Sequence, residues 1–404
     1  MRITLTLSLC TALLAGCGDD DASTDPPVDA TVDAPPVVDA APIDTAPPPD
    51  GDCFAELEVR TTPSGVRFVR TPDSCFEALP NWDYAPRYVA IDGLRQHYVD
   101  EGPTDGPVIL LLHGQPAWSY LYRFMIPPLV DAGFRVIAMD HVGMGRSDKP
   151  IEERYHSFDN HVQRLQAFIA ELSLEGATLF CQDWGSIIGL WTASLDLDLF
   201  ARIIMANGGI PDVQTVSPRL ETGIEENNAN FLGTLQMIPE NQPSFFDEDG
   251  NSLLPVGGDE GGDAFSQWLT FAFTYDATPW VGLMHEALTF DALTPDEEAA
   301  YDAPFPSRVT MMAPRTFPGL RNELIGRARE RLEALEGYER PFLTVFGGND
   351  PGLVGEGDGQ QEMIDRVPGA AGQDHVRLPN GSHFLQDDIG AEIAQRVIAF
   401  IRSN

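Results

Sequence analysis

The chain has 404 residues, enough for one large α/β domain with an insertion or for two small domains. Apolar residues make up 43 % of it, so a full core can form. Against 25 Lys and Arg stand 62 Asp and Glu, a formal net charge of -37, which excludes nucleic acid and anionic lipid headgroups as partners of the surface and promotes solubility.

In chain order, Arg2 precedes the apolar run Ile3 to Leu14, too short to span a bilayer and of the length of a secretory signal. The run ends in Leu14-Ala15-Gly16-Cys17, which resembles a bacterial lipobox. That resemblance implies a signal peptide over residues 1–16 and a Cys17 that is lipidated and becomes the first residue, on an exported protein held at a membrane of the cell envelope. The alternative is an ordinary signal with an incidental Cys. Residues 17–52 carry ten acids between Asp19 and Asp52 and otherwise mostly Ala, Pro, Val and Thr. Such a segment cannot bury enough apolar surface to offset chain entropy and reads as a tether. Extended at roughly 3 Å per residue it reaches on the order of 100 Å. Cys10 leaves with the signal and Cys181 lies in a buried strand. Cys53 and Cys75 remain, either joined in a disulfide of the exported chain or two unrelated thiols.

From about Val66 the pattern is globular. Tyr88 to Val99 reads as a hairpin turning at Asp92-Gly93. The strand runs that follow are Val108–Leu112, Arg135–Met139, Thr178–Cys181, Ile203–Ala206, Phe342–Phe346 and His375–Leu378, separated by helical runs. Near-continuous apolar strands of this kind predict a mostly parallel, doubly wound sheet covered on both faces. The alternation breaks between Gly208 and about Leu320, where helical segments, a Gly/Asp-rich loop and a capping-box start at Thr294-Pro295-Asp296-Glu297 predict an inserted helical cap. The expected units are therefore the core over 53–208, the cap over 209–320 and the rest of the core over 321–404.

Four segments then fall at strand ends. Asp183, in Cys181-Gln182-Asp183-Trp184-Gly185, stands between a buried strand and a helix, the setting of a nucleophile elbow. By itself such an Asp caps a helix. In an elbow an ionised carboxylate needs no base to attack and leaves an ester on itself. His113-Gly114-Gln115-Pro116 closes the first parallel strand, where the Gln115 N–H can meet a developing oxyanion, with the Trp184 N–H as second donor. Asp350 follows a late strand and His383 follows the last. The order nucleophile, acid, histidine is that of the α/β-hydrolase fold.

From about Val66 onward the chain resembles the haloalkane dehalogenases of that superfamily. The resemblance is carried by His113 to Arg123, by Gly143-Met-Gly-Arg-Ser-Asp-Lys-Pro150, by Gln182-Asp-Trp-Gly185 and by Gly381-Ser-His-Phe384, with a cap stretch from Thr294 to Pro306. It implies Asp183 as nucleophile, His383 as base and Asp350 as the acid of the subfamily in which the acid follows the seventh strand. The other subfamily has a Glu after the sixth, and Met205-Ala206-Asn207 offers no acid there. It further implies Trp184 and Trp268 as halide donors, Trp280 being a rival, and Phe265, Phe317, Pro318 and Leu353 as apolar pocket lining. Gln115 departs from the Glu common at its position, and its amide could assist with halide.

The expected reaction is hydrolysis of a small halogenated alkane through an alkyl ester on Asp183, cleaved by water that His383 activates. No cofactor and no catalytic metal are expected, since the remaining histidines lack ligand spacing; a monomer is expected. One alternative is an epoxide hydrolase, for which Tyr275 and Tyr301 are candidate proton donors. The other is a tethered, non-enzymatic binding module, against which the intact Asp183/His383/Asp350 set argues.

Overall fold

The computed structural model describes residues 53, 56–237, 264–276, 279–350 and 359–404. The expected signal, the expected tether with Cys17, the expected Gly/Asp-rich loop of the cap and Leu353 lie outside the described residues.

Eight strands form the central sheet: β1 (Arg87–Ile91), β2 (Leu94–Glu101), β3 (Val108–Leu112), β4 (Arg135–Met139), β5 (Thr178–Asp183), β6 (Arg202–Gly208), β7 (Phe342–Gly347) and β8 (Val376–Leu378). Their order across the sheet is β8-β7-β6-β5-β3-β4-β2-β1. All pairs are parallel except β1 with β2 and β2 with β4. The hairpin turns at Asp92-Gly93 as expected. The strand sequence Val-Ile-Leu-Leu-Leu of β3 carries no polar face because helices cover both sides, and Ile109 to Leu112 are fully buried. A small ribbon made from Arg60–Thr61, Arg67–Val69 and Lys149–Pro150 lies outside this sheet.

The helices are α1 (Ile126–Asp131), α2 (Phe158–Glu171), α3 (Trp184–Leu195), α4 (Ile224–Met237), α5 (Ala264–Thr274), α6 (Val281–Ala287), α7 (Pro295–Asp302), α8 (Met312–Thr316), α9 (Ala328–Leu335), α10 (Gly359–Arg366) and α11 (Leu385–Ser403). Helix α3 is apolar all round and buried from Trp184 to Ser194, as a helix enclosed by the core must be. Helices α4 to α8 occupy the chain between β6 and β7, where the inserted cap was expected. Helix α7 starts at the expected capping box: Thr294 Oγ1 accepts from the Glu297 N–H and the Glu297 carboxylate from the Thr294 N–H.

Cys53 and Cys75 form a disulfide, so the pairing alternative holds over two separate thiols. Arg123, in the loop after β3, is buried and ion-paired with Asp387 of α11 and with Glu297 of α7 at 3.0 Å. The Tyr301 hydroxyl donates to the same Asp387 at 2.8 Å. Helices α7 and α11 thus share one buried guanidinium. Burial disfavours that cation, but Asp387 and Glu297 outweigh it and hold its pKa above the usual range.

Candidate active site

Strand order reverses about β3: β4 lies on one side of it and β5 on the other. Ligands in open α/β sheets bind beyond the carboxyl ends of strands at such a switch point. His113 to Gln115 and Asp183-Trp184 stand there.

Asp183 ends β5 and precedes α3 with φ 52 and ψ −127, a left-handed backbone that strains a residue with a side chain by about 1–3 kcal/mol. The surrounding packing enforces it. A Cβ on Gly185 would lie 2.3 Å from the Leu112 carbonyl oxygen, and a Cβ on Gly114 would lie 2.2 Å from Asp183 Oδ1. These two glycines let β3, the turn before α3 and the Asp183 carboxylate approach one another. The Ser186 hydroxyl donates to the Asp183 carbonyl at 2.7 Å and steadies the turn.

The two carboxylate oxygens of Asp183 are distinguished by their surroundings. Oδ1 accepts the Gln115 N–H at 2.8 Å, while Oδ2 faces His383 Nε2 at 3.7 Å. The Trp184 N–H is the first of α3 and has no acceptor within the helix. His383 Nδ1 is 3.1 Å from Asp350 Oδ1, just past β7. His383 is 3 % exposed and Asp183 7 %, so the charges meet in a medium far less polar than water. Burial pulls the His383 pKa down, but the charge of Asp350 and its hydrogen bond, with Asp183 in support, outweigh this and raise it to about 10.

The Gln115 side-chain amide donates to the Pro314 carbonyl at 2.8 Å. It therefore ties the loop after β3 to the segment ahead of Phe317, a use the sequence did not suggest. Phe317 is buried edge-on against Trp184 with ring centroids 5.6 Å apart, and Pro318 is buried beside it. Phe265 is partly buried under the Arg321 guanidinium, 4.7 Å from its ring centre. Trp268 lies on α5, stacked on Phe231 at 5.4 Å and edge-on to Trp280 at 5.5 Å. Trp280 is fully buried, and its indole N–H has no partner among the described residues. Of the two tyrosines considered as epoxide proton donors, Tyr301 is unsuited. It is fully buried and its hydroxyl is committed to Asp387. Among the described residues no group of three or more His, Cys, Asp or Glu side chains is arranged to hold a metal ion.

Sequence reasoning missed the residues that hold the His383 loop. Gln182 Nε2 donates to the His383 carbonyl at 3.0 Å, as does Asn207 Nδ2 at 3.0 Å. Asp388 Oδ2 accepts the Ser382 N–H at 2.8 Å. Asn207 had drawn notice only as a position without an acid. Its type and place, an Asn just past an apolar strand run, were the available signal; in the structure it stands next to last in β6 with φ 35.

A sequence profile of the alpha/beta hydrolase fold matches residues 107–249. A haloalkane dehalogenase of Mycobacterium marinum is 38 % identical over 342 residues, covering 82 % of this chain and 99 % of that protein. One from Psychrobacter cryohalolentis is 34 % identical over 349 residues, covering 84 % and 99 %. Among solved structures, a haloalkane dehalogenase of Paraglaciecola agarilytica NO2, described as tetrameric, aligns with TM-score 0.63 at 28 % identity over 83 % of this chain and 98 % of that one. A loop variant of the Bradyrhizobium elkanii enzyme, at 23 % identity and TM-score 0.58 over 80 % and 98 %, supports the fold alone. With an Asp on the elbow, a histidine and a second Asp at neighbouring strand ends, and relatives matched over nearly their whole length, the chain belongs to the haloalkane dehalogenase family of α/β-hydrolases.

Proposed function

We propose that hydrolytic dehalogenation is carried in this chain by Asp183, His383 and Asp350, with Trp184 and Trp268 receiving the halide. Asp183 Oδ2 attacks the halogen-bearing sp³ carbon in line, since Oδ1 is already engaged by the Gln115 N–H. The carbon–halogen bond breaks with its electron pair, and the indole N–H groups of Trp184 and Trp268 stabilise the departing anion in a dry, aromatic-walled site. Phe265, Phe317 and Pro318 supply apolar wall for the alkyl chain.

Ester formation removes the negative charge of Asp183. His383 then loses one of the groups that hold its proton, releases that proton to solvent and acts as base, with Asp350 keeping the imidazole oriented. It takes a proton from water, which attacks the ester carbon. The charge that develops on Oδ1 meets the Gln115 and Trp184 N–H groups. Collapse breaks the bond between the carboxyl carbon and Oδ2; the departing alkoxide takes the proton from His383 and leaves as alcohol, and the new carboxyl group of Asp183 passes its proton to His383. Two moderate barriers replace direct attack by water on an unactivated halide.

One observation carries this reading: the nucleophile's oxygens face different partners, Oδ1 an N–H donor at 2.8 Å and Oδ2 the histidine at 3.7 Å. The direct test is halide release from 1,2-dibromoethane and 1-bromobutane beside a panel of epoxides, with Asp183→Ala as control. Halide release lost in Asp183→Ala is expected; turnover of epoxides alone would establish the alternative.

The lipobox-like Leu14 to Cys17 supports a second proposal, that the enzyme is exported and held at the cell envelope by lipid on Cys17. Among the described residues no helix is long and apolar enough to cross a membrane. On this reading attachment rests on acyl chains, of which more than one is needed for stable anchoring.

A further inference from the structure

The carboxyl ends of β6, β7 and the loop after β8 meet at one buried side chain. Asn207 is 0 % exposed. Its Nδ2 donates to the Ser382 carbonyl at 2.6 Å and to the His383 carbonyl at 3.0 Å, and its Oδ1 accepts the Gly347 N–H at 2.8 Å. Both amide hydrogens are used, and all three partners are backbone atoms. Gly347 ends β7, three residues before Asp350, and Ser382 and His383 belong to the loop that carries the base. We infer that Asn207 is a positioning residue that fixes His383 relative to Asp350, and so acts on hydrolysis of the ester rather than on its formation.

The packing leaves little freedom for another arrangement. A Cβ on Gly347 would lie 2.4 Å from the Ser382 carbonyl oxygen and 2.6 Å from that of Gly381, so the end of β7 and the histidine loop touch backbone to backbone. Bare contact sets a distance but not an orientation. An amide that donates to one segment and accepts from the other supplies the orientation, because its three bonds lie in one plane. The Asn207 backbone contributes as well: at φ 35 it occupies a region that Asn tolerates better than most residues with a side chain. Gln182 adds a second donor on the His383 carbonyl, from the residue just before the nucleophile. The Asp183 carboxylate, by contrast, is held from β3 through the Gln115 N–H. Loss of the Asn207 amide therefore strikes the base and its acid while leaving the hydrogen bond on the nucleophile in place. A displacement of about 1 Å at a catalytic group costs on the order of 100-fold in rate.

This inference rests on the assignment of His383 as the base of the second step, and its test separates the two. Asn207→Ala and the milder Asn207→Ser are compared with wild type and with His383→Phe. Rapid-quench halide release reads ester formation, the steady state reads hydrolysis, and intact mass reads the alkylated fraction. Asn207→Ala is expected to slow hydrolysis on the order of 100-fold and to keep ester formation within about threefold of wild type. Asn207→Ser should fall between, and the alkylated fraction should rise in both. Nuclear magnetic resonance should show the His383 imidazole losing its proton at lower pH in both variants, a shift that loss of stability alone does not produce. Either folded variant with the wild-type balance between the two steps, or with both steps slowed equally, overturns the positioning role. Absence of ester in His383→Phe instead overturns the assignment of the base, whatever the Asn207 variants do.

Discussion

His383 Nε2 and Asp183 Oδ2 stand 3.7 Å apart, near enough to attract as opposite charges and too far to share a hydrogen bond. The histidine's firm hydrogen bond, 3.1 Å long, goes the other way, to Asp350. Burial opposes the imidazolium, but Asp350 and then Asp183 raise the His383 pKa to about 10, so in the resting enzyme it carries a proton across neutral pH. On the proposed mechanism the charge of Asp183 keeps His383 protonated until ester formation consumes that charge. Titration of the His383 ring by nuclear magnetic resonance should place its midpoint well above pH 8 in wild type and distinctly lower in Asp183→Asn. Equal midpoints would show that Asp183 does not govern the proton.

Trp268→Phe keeps an aromatic ring and removes an N–H donor. Losing one donor to a developing anion costs about 2–4 kcal/mol, or roughly 30- to 1000-fold in ester formation. Halide quenching of tryptophan fluorescence should weaken in parallel. Trp280 lies edge-on to Trp268 and its N–H has no partner among the described residues, so Trp280→Phe is the matched control. Loss in Trp280→Phe with Trp268→Phe unchanged would transfer the halide role to Trp280.

Asp302, at the end of α7, accepts the Gly282 N–H at 2.9 Å. Burial first, with nearby Glu298 adding to it, pushes its carboxyl up to about 7. A folded-state value above the unfolded one, about 3.9, means that its favourable contribution is complete below about pH 4 and is lost as pH rises through about 7. Asp302→Asn keeps the acceptor and removes the buried charge. Its melting temperature relative to wild type should therefore climb between pH 5 and pH 8.5. A difference that stays flat with pH would show that Asp302 is not the group responsible.

Cys17→Ser should block both lipid attachment and cleavage ahead of residue 17. Wild type should sediment with membranes until detergent is added. A wild type that is correctly processed and free of membranes refutes the anchor and leaves the catalytic assignment untouched.

What could be read from the residues was whatever local pattern encodes. Strands β3 and β4 have the bounds that their apolar runs predict, because both faces are buried and no polar residue interrupts them. Strands β5 to β7 run one or two residues further than their apolar stretches, since the elbow and the catalytic turns are made from those extensions. Asp183, Asp350 and His383 were visible because each sits at a strand end within a short motif. Asn207 and Tyr301 were not, because their roles depend on partners far along the chain. Asn207 bonds residues 175 and 176 positions away, and the Tyr301 hydroxyl is committed to Asp387, 86 positions away. A free hydroxyl and a buried one look alike in a sequence.

The central claim is that carbon is bonded to Asp183 in mid-reaction and that His383 is needed only to remove it. His383→Phe incubated with 1-bromobutane and examined by intact mass tests this most directly. The account predicts a mass increase of one butyl group on Asp183, with a single turnover of bromide released. Unmodified protein at saturating substrate, alongside an active wild type, would contradict it.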